Sequence, residues 1–238
     1  DFREKKKEKP KKPSELRKFR DVQIPISQAE ALQSLERQAS KTFSRLDDIF
    51  WNTEMGFSVR ENEIREIGLH NCNLMTLPKS IGNLKSLRKL YLRNNNLSNI
   101  PESIGSLKAL KRLDVGKNKI SFLPDSLGKL KALKVLNLSN NEVSVLPKSL
   151  GSLESLKKLD LQENNLSRIP ESLTALTSLD ELWLSWNNLS VLPESILNLK
   201  SLKMLDLRQN PLDKKVFGST HTEKILKKLK RNGVFIYQ

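Results

Sequence analysis

A 23-residue repeat runs through the middle of the chain and constrains its fold more than any other feature. The pattern LxxLxLxxNxL begins at six leucines spaced 23 residues apart, which are Leu87, Leu110, Leu133, Leu156, Leu179 and Leu202. A weaker copy, IREIGLHNCNL, begins at Ile64. Each unit is too small to bury its own apolar side, so neighbouring units must stack to build one continuous core. The seven copies over residues 64–212 therefore predict a solenoid.

Each copy combines a short strand pattern with a short helical pattern. Leu90 and Leu92 alternate with Tyr91, which is the period of a strand with one buried face. In the segment PESIGSL, Ile104 and Leu107 are three residues apart, as on one turn of a helix. The proline before the helical part lacks an N–H group, which costs nothing where no strand bond is needed. The pattern predicts an α/β solenoid.

These repeats resemble the leucine-rich repeat family in its 23-residue Leu-Pro subtype, over residues 64–212. The resemblance implies a horseshoe whose parallel strands form the concave face and whose helical or 3₁₀ segments line the outside. It also implies a non-catalytic scaffold or adaptor in signalling that binds a protein on its concave face. The partner classes that the resemblance suggests include a small GTPase and a phosphatase subunit.

Residues suited to catalysis or metal binding are scarce. The chain has one cysteine and two histidines, too few for a zinc site built from these residue types, and it has no GxxxxGK[ST] motif. We predict no catalytic site, no metal and no cofactor. The single cysteine and the absence of an apolar leader or a long apolar run in this sequence favour a cytoplasmic protein without a membrane span.

One position in each copy is expected to hold a structural ladder. A buried amide there can bond the backbone where the strand turns, and buried amides need such partners. The resemblance implies that the cysteine of the first copy serves the same place, because the family accepts either residue. The predicted ladder consists of Cys72, Asn95, Asn118, Asn141, Asn164, Asn187 and Asn210.

The ends of a solenoid need caps, because terminal repeats would otherwise expose core. Residues 1–26 are basic and are expected to be a flexible tail. Residues 27–63 are expected to form a cap, with a capping box at Ser27, a turn at Glu61-Asn62 and Trp51 in its core. A separate helical docking segment is the alternative.

The C-terminal residues 213–238 are expected to form the second cap. Thr220 and Glu223 form a capping-box pattern, and Gly233 is a helix stop. Ile225, Leu226 and Leu229 make the inward stripe of the helix, and the segment VFIY predicts a closing strand.

Two tryptophans mark a candidate binding surface. Trp183 lies between the inward Leu182 and Leu184, so it is expected to face outward on the concave side, and Trp186 is expected to open to the same side. With Met204 one strand along, they would form an apolar anchor for a protein partner. The alternatives are that a terminal extension of the chain covers them, or that their exposure is incidental. Tyr91, Asp114 and Asp160 belong to the same outward column as Trp183.

The N-terminal half of the concave face is basic, in a chain with a net charge of +15. Asp114 and Asp160 offset this charge only in part. We expect an acidic protein partner with one apolar protrusion. The alternative is a nucleic-acid- or ribonucleoprotein-associated factor that uses the basic tail and this half of the face. The basic residues are Arg88, Lys89, Arg93, Lys111, Arg112, Lys117 and Lys134.

Overall fold

The computed structural model describes residues 16–212 and 221–238, in which the repeats form a solenoid. The repeat strands are β5 (Glu63–Gly68), β6 (Lys89–Tyr91), β7 (Arg112–Asp114), β8 (Val135–Asn137), β9 (Lys158–Asp160), β10 (Glu181–Trp183) and β11 (Met204–Asp206). They pair in parallel, each with the next, in a register that aligns equivalent residues of successive repeats. This arrangement confirms the predicted solenoid with a parallel concave sheet.

A 3₁₀ segment lies on the outer side of each of the first six repeats and follows a proline in extended conformation, for example Pro101 and Pro124. Proline fits there because its fixed φ and missing N–H group suit the first turn of a helical segment. The segments are Lys79–Asn83, Glu102–Ser106, Asp125–Lys129, Lys148–Ser152, Glu171–Ala175 and Glu194–Asn198. Between them and the sheet lies one continuous leucine core, in which Leu90, Leu136 and Leu182 are fully buried.

The asparagine ladder ties each strand end to the next repeat. The Asn95 side-chain oxygen accepts hydrogen bonds from the N–H groups of Cys72 and Leu74, both at 3.0 Å. Its amide donates to the carbonyl oxygens of Leu69 at 2.7 Å and Leu92 at 2.9 Å. The five later asparagines repeat this double role, so the buried amides are satisfied.

The first ladder position holds a thiol in place of an amide. The Cys72 thiol donates to the Glu54 carbonyl at 3.0 Å, and burial raises the pKa of this thiol to about 11. The thiol is therefore protonated at neutral pH, which suits a structural residue and not a nucleophile.

The N-terminal cap begins before the predicted boundary. Strands β1 (Leu16–Phe19) and β2 (Val22–Pro25) form an antiparallel hairpin with Phe19 and Ile24 in the core. The expected flexible tail over residues 1–26 is therefore wrong for this hairpin, because its two apolar side chains are buried. Residues 1–15 lie outside the described part of the chain.

The rest of the cap is a helix and a second hairpin. Helix α1 (Ile26–Ala39) is followed by β3 (Ser44–Arg45) and β4 (Gly56–Arg60), and β4 pairs antiparallel with β5 across a turn at Glu61-Asn62. The turn lies where the sequence predicted it, and both turn residues have positive φ. The predicted capping box is wrong: Pro25 occupies the N-cap position without a side-chain cap bond, and Ser27 lies inside the first turn.

The core of this cap also differs from the prediction in its aromatic residue. Phe57 fills it and packs edge-to-face against Phe19 and Phe43, at 5.7 and 5.9 Å between ring centroids. Trp51, which was expected there, is 57% exposed and rests against the edge of His70. The 46–54 segment is a loop between strands, so Trp51 does not belong to an inward-facing pattern.

The C-terminal cap has the predicted helix and strand. Helix α2 (His221–Arg231) buries Ile225 and Leu229, and β12 (Phe235–Tyr237) adds in parallel to β11. Thr220, the first residue of the predicted capping box, lies outside the described residues. Neither α1 nor α2, nor any other helix in residues 16–212 and 221–238, is long and apolar enough to cross a membrane.

Candidate functional site

The concave face presents outward-facing rows of side chains that alternate with the buried leucines. The first row consists of the first residue of each three-residue strand, together with the aligned residue of β5: Glu66, Lys89, Arg112, Val135, Lys158, Glu181, Met204 and Phe235. The second row consists of the third residue of each of these strands, together with the aligned residue of β5: Gly68, Tyr91, Asp114, Asn137, Asp160, Trp183, Asp206 and Tyr237. The third row lies two residues further along: His70, Arg93, Gly116, Ser139, Gln162, Ser185 and Arg208.

An aromatic cluster, defined here as Trp183, Met204, Phe235 and Tyr237, occupies the C-terminal end of this face. The Trp183 and Tyr237 rings stack at 6.4 Å between centroids and an interplanar angle of 19°. Phe235 meets Tyr237 edge-on at 4.8 Å and is itself 59% exposed. Trp183 and Met204 are half-buried. The closing strand thus covers part of Trp183 and adds a second exposed aromatic beside it.

An ion pair between a buried carboxylate and a half-exposed arginine lies beneath this cluster. Asp206 is 0% exposed and lies between the strands of Trp183 and Tyr237. Arg208 donates to both of its carboxylate oxygens, at 3.0 and 2.8 Å, and the Arg208 guanidinium lies 5.0 Å from the Tyr237 ring centroid. Burial opposes ionisation of Asp206, but the hydrogen bonds from Arg208 hold the pKa of this carboxyl below its usual range. The ring stack therefore rests on a fixed charge pair.

Trp186 lies outside the rows, in the turn that follows β10. Its backbone is left-handed, with φ of 56°, as are the equivalent turn residues of other repeats, such as Lys117 and Glu163. A tryptophan in this region of φ is uncommon. Its side chain is 60% exposed and lines a shallow depression with Asn188, Pro211 and Leu226. Trp186 also lines a second depression with Gln162, Ser185 and Arg208 of the third row, so it borders the concave face as well.

The N-terminal half of the second row is less exposed than expected. Tyr91 and Asp114 are each only 6% exposed, so the expectation that both face open solvent is wrong. In the adjacent third row, the Arg93 guanidinium lies over Gly116, where an added Cβ would be 2.5 Å from the Arg93 Nη1 atom. Glycine at this position leaves the space that Arg93 fills.

Three carboxylates of the second row differ in their partners. Asp114 and Asp160 each accept a backbone N–H two residues on, from Gly116 at 3.0 Å and from Gln162 at 3.1 Å. Burial raises the pKa of Asp114, although Arg93 and Arg112 oppose the effect. Burial, then Asp114 and Asp206, raises the pKa of Asp160 to about 6. Of these three carboxylates, Asp206 is the one that forms an ion pair within the described part of the chain.

The basic residues predicted for this face are distributed over several rows. Arg88 precedes β6 and is exposed, and Lys117 is exposed in a turn. Lys89 pairs with Glu66 at 2.9 Å in the first row, next to half-buried Arg112, and Arg93 belongs to the third row. Tyr237 and Phe235 were not among the predicted site residues. The parallel alignment of the closing strand with Met204–Asp206 was the signal that could have identified them.

Among the described residues, no group of three or more His, Cys, Asp or Glu side chains could hold a metal ion. The concave face therefore offers surfaces for contact: an apolar end, a basic end and a row of partly buried carboxylates between them.

A family model described as a leucine-rich repeat region matches residues 60–138 and 125–231. A leucine-rich repeat protein of Leptospira interrogans is similar in structure, with 29% identity, a TM-score of 0.60, and coverage of 73% of this chain and 48% of that one. No curated protein matches the chain.

Two plant receptor structures are also similar. One is the ectodomain of the Arabidopsis thaliana membrane receptor kinase GASSHO1/SCHENGEN3 in complex with CASPARIAN STRIP INTEGRITY FACTOR 2, with 30% identity, a TM-score of 0.53, and coverage of 66% of this chain and 18% of that one. The other is the plant peptide hormone receptor RGFR1 in complex with RGF2, with 35% identity, a TM-score of 0.54, and coverage of 65% and 24%. The chain thus spans less than half the length of these three structures.

Proposed function

The chain belongs to the leucine-rich repeat family, whose domains typically bind proteins or peptides, and from this premise we propose that it is a non-catalytic scaffold or adaptor that holds a protein partner on its concave face. The aromatic cluster is the observation that carries this proposal. It places the exposed Phe235 ring beside half-buried Trp183 and Met204 on the face that the repeats form. The two similar plant receptors, in complex with CASPARIAN STRIP INTEGRITY FACTOR 2 and with RGF2, support the binding of a protein or peptide partner.

The physical basis is the surface that these side chains can remove from water. Aromatic side chains bury about 150–250 Å² each and dominate the energetics of protein interfaces. The stack of Trp183 on Tyr237 fixes both rings before a partner arrives, so little side-chain entropy is lost on binding. A partner with an apolar protrusion and acidic surroundings fits the cluster and the positive charge of the chain.

The test is affinity capture from an extract of cells that express the protein, with wild type and the double variant Trp183→Ala/Phe235→Ala in parallel. Each anchor truncation is expected to cost about 2 kcal/mol or more of binding free energy, so the double variant should lose the captured partner. Phe122→Ala is the matched control, because Phe122 is a 75% exposed aromatic outside the concave rows. Circular dichroism shows whether the variants remain folded. Equal capture by all three proteins would contradict the proposal.

Trp186→Ala forms a separate arm of the same experiment. Because Trp186 lies in the turn and not in the aromatic cluster, its truncation reports on the two depressions that it lines, one at the C-terminal flank and one beside the third row. A partner retained by this variant and lost by the double variant would assign binding to the concave rows.

We propose the cytoplasm as the site of action, since one buried thiol needs no oxidising compartment. A small GTPase and a phosphatase subunit are the partner classes to test first, on the strength of the resemblance seen in the sequence. Imaging of a tagged full-length protein tests the location, and mass spectrometry of the captured partner tests its class.

A further inference from the structure

Four cations in consecutive repeats line the edge of the concave sheet where the strands begin. We propose that this basic row, defined as Arg88, Lys111, Lys134 and Lys157, binds an extended acidic segment of the protein partner. The inference rests on the proposed function, because it assigns a second contact to the same partner. It goes beyond that function by naming the recognised chemistry and the residues that would recognise it.

The backbone places these four residues side by side. Lys111 donates its N–H to the Arg88 carbonyl at 2.8 Å, Lys134 to the Lys111 carbonyl at 2.8 Å, and Lys157 to the Lys134 carbonyl at 2.9 Å. Neighbouring strands lie about 4.8 Å apart, so the four positions span roughly 14 Å. An extended chain covers that length with about four or five residues.

The row is exposed and its charges are not neutralised. Within the described part of the chain, none of the four side chains takes part in an ion pair or a hydrogen bond. The equivalent positions in the repeats before and after the row do form ion pairs. Arg65, one repeat earlier, pairs with Glu61 at 3.2 Å, and Asp180, one repeat later, pairs with Lys203 at 3.1 Å. Among the described residues at this position of the repeat, the unpaired cations are thus confined to four consecutive repeats.

Such a row carries a cost in the free protein. Like charges opposite each other on adjacent strands destabilise a sheet. In the first row, by contrast, the chain pairs its charges across strands, as in Lys89 with Glu66 at 2.9 Å and Lys158 with Glu181 at 2.5 Å. A ligand with acidic side chains would relieve the repulsion along the row and so gain affinity from it.

An acidic protein segment suits this surface better than a nucleic acid does. The rows inward of the basic row contain carboxylates, namely Glu66, Asp114, Asp160 and Glu181, which would repel the phosphates of a wide strand lying across the face. Single-stranded nucleic acid also needs aromatic rings on which its bases can stack. Tyr91 is buried, and Trp183 lies beyond the end of the row with its ring stacked on Tyr237. An acidic segment that follows the edge of the sheet where the strands begin would contact only the cations of the basic row.

The experiment measures binding of a fluorescein-labelled oligoglutamate peptide to the full chain by fluorescence anisotropy at low salt. The charge-reversal variant Lys111→Glu/Lys134→Glu is expected to weaken binding by about tenfold. Lys129→Glu/Lys148→Glu is the matched control, because it makes the same change in net charge at exposed lysines on the outer side. We expect the control to stay within about twofold of wild type.

A labelled oligothymidylate with the same number of charges forms the second arm. Tighter binding of the oligonucleotide than of the peptide, with loss in the row variant, would assign the row to nucleic acid and overturn the proposal. Equal weakening in the row variant and the control would show a response to net charge alone, which also overturns it.

The failure of this inference is separable from that of the proposed function. Trp183→Ala/Phe235→Ala leaves the basic row intact, so oligoglutamate binding should be unchanged in that variant. If the row variant still captures the cellular partner and still binds oligoglutamate, the basic row has no role in binding, and the aromatic cluster alone binds the partner. If the Trp183→Ala/Phe235→Ala variant still captures the partner while the row variant does not, the basic row binds the partner and the aromatic cluster does not contribute.

Discussion

The two halves of the concave face differ in how they treat the aromatic residue of the second row. In the N-terminal half, β6 to β8, Tyr91 is buried, whereas in the C-terminal half, β10 to β12, Trp183 is half exposed. Tyr91 is surrounded by charged side chains of the adjacent rows, and burial raises the pKa of its hydroxyl. Trp183 meets another ring, Tyr237, from the closing strand. The same position in the repeat therefore gives a covered ring or a contact surface, depending on what its neighbours offer.

Charge follows the same division. The C-terminal half fixes its carboxylate, Asp206, with a two-point hydrogen bond from Arg208. As far as the described residues show, the N-terminal half holds Arg93 near Asp114 without an ion pair, and the basic row at the edge of the sheet is unpaired. One half is thus internally neutralised and apolar, and the other half keeps its charge available to a ligand.

The outer side divides as well. Four early repeats place glycine in the 3₁₀ segment, and there the next repeat packs so closely that an added Cβ at Gly151 would lie 2.0 Å from the Ser172 carbonyl oxygen. The next two repeats hold Thr174 and Leu197 at the equivalent position. The packing of successive repeats is therefore tighter in the N-terminal part of the array.

Gly151→Ala is expected to show this difference with the largest effect. The added methyl group would overlap the Ser172 backbone, and overpacking of this kind costs about 3 kcal/mol of unfolding free energy. Thr174→Ala in the next repeat loses a hydrogen bond to Glu171 and a γ-methyl group but introduces no overlap, and we expect a cost of about 1 kcal/mol. Urea denaturation followed by circular dichroism measures both. Equal losses would show that the outer side is uniform.

Arg208→Met tests the neutralised half. The substitution removes the cation that faces buried Asp206, and a loss of unfolding free energy at neutral pH is expected, because the carboxylate would stay buried without its charged partner. Arg93→Met is the counterpart in the other half and should cost less, since Arg93 forms no ion pair with any described residue. Urea denaturation compares the two variants, and a larger loss in Arg93→Met would reverse the assignment of the two halves.

The sequence predicted the features that follow from the spacing of the repeat, and it missed the burial of side chains that depends on contacts with other parts of the chain. The parallel strands, the asparagine ladder and the closing strand all follow from spacing, and the structure contains each of them. The burial of Tyr91, the exposure of Trp51 and the cover on Trp183 depend on side chains that lie far apart in sequence. The hairpin in the expected tail was missed because buried Phe19 stands between the charged Lys18 and Arg20, and because each of its strands is only four residues long.

Asp160→Asn has the smallest expected effect and tests the carboxylate between the two halves. Burial, with Asp114 and Asp206, raises the folded-state pKa of Asp160 to about 6, whereas an unfolded aspartate has a pKa of about 3.9. Protonation therefore favours the folded state, and the ionised carboxylate costs stability above pH 6. That cost shrinks as the pH falls through 6 and is absent below about pH 4. After allowance for solvent, we expect the variant to gain about 1 kcal/mol at pH 8 and nothing at pH 4.

Asparagine suits this comparison because it can keep the local turn. Asn137, one repeat earlier, accepts the Ser139 N–H at 2.9 Å, as Asp160 accepts that of Gln162. Asp206→Asn is the control with the opposite sign: its pKa is lowered, so the substitution should reduce stability at pH 8. Denaturation at both pH values checks each variant. A stability loss in Asp160→Asn at pH 8 would mean that the ionised carboxylate is compensated in the free protein, and the two carboxylates would then belong to one neutralised surface.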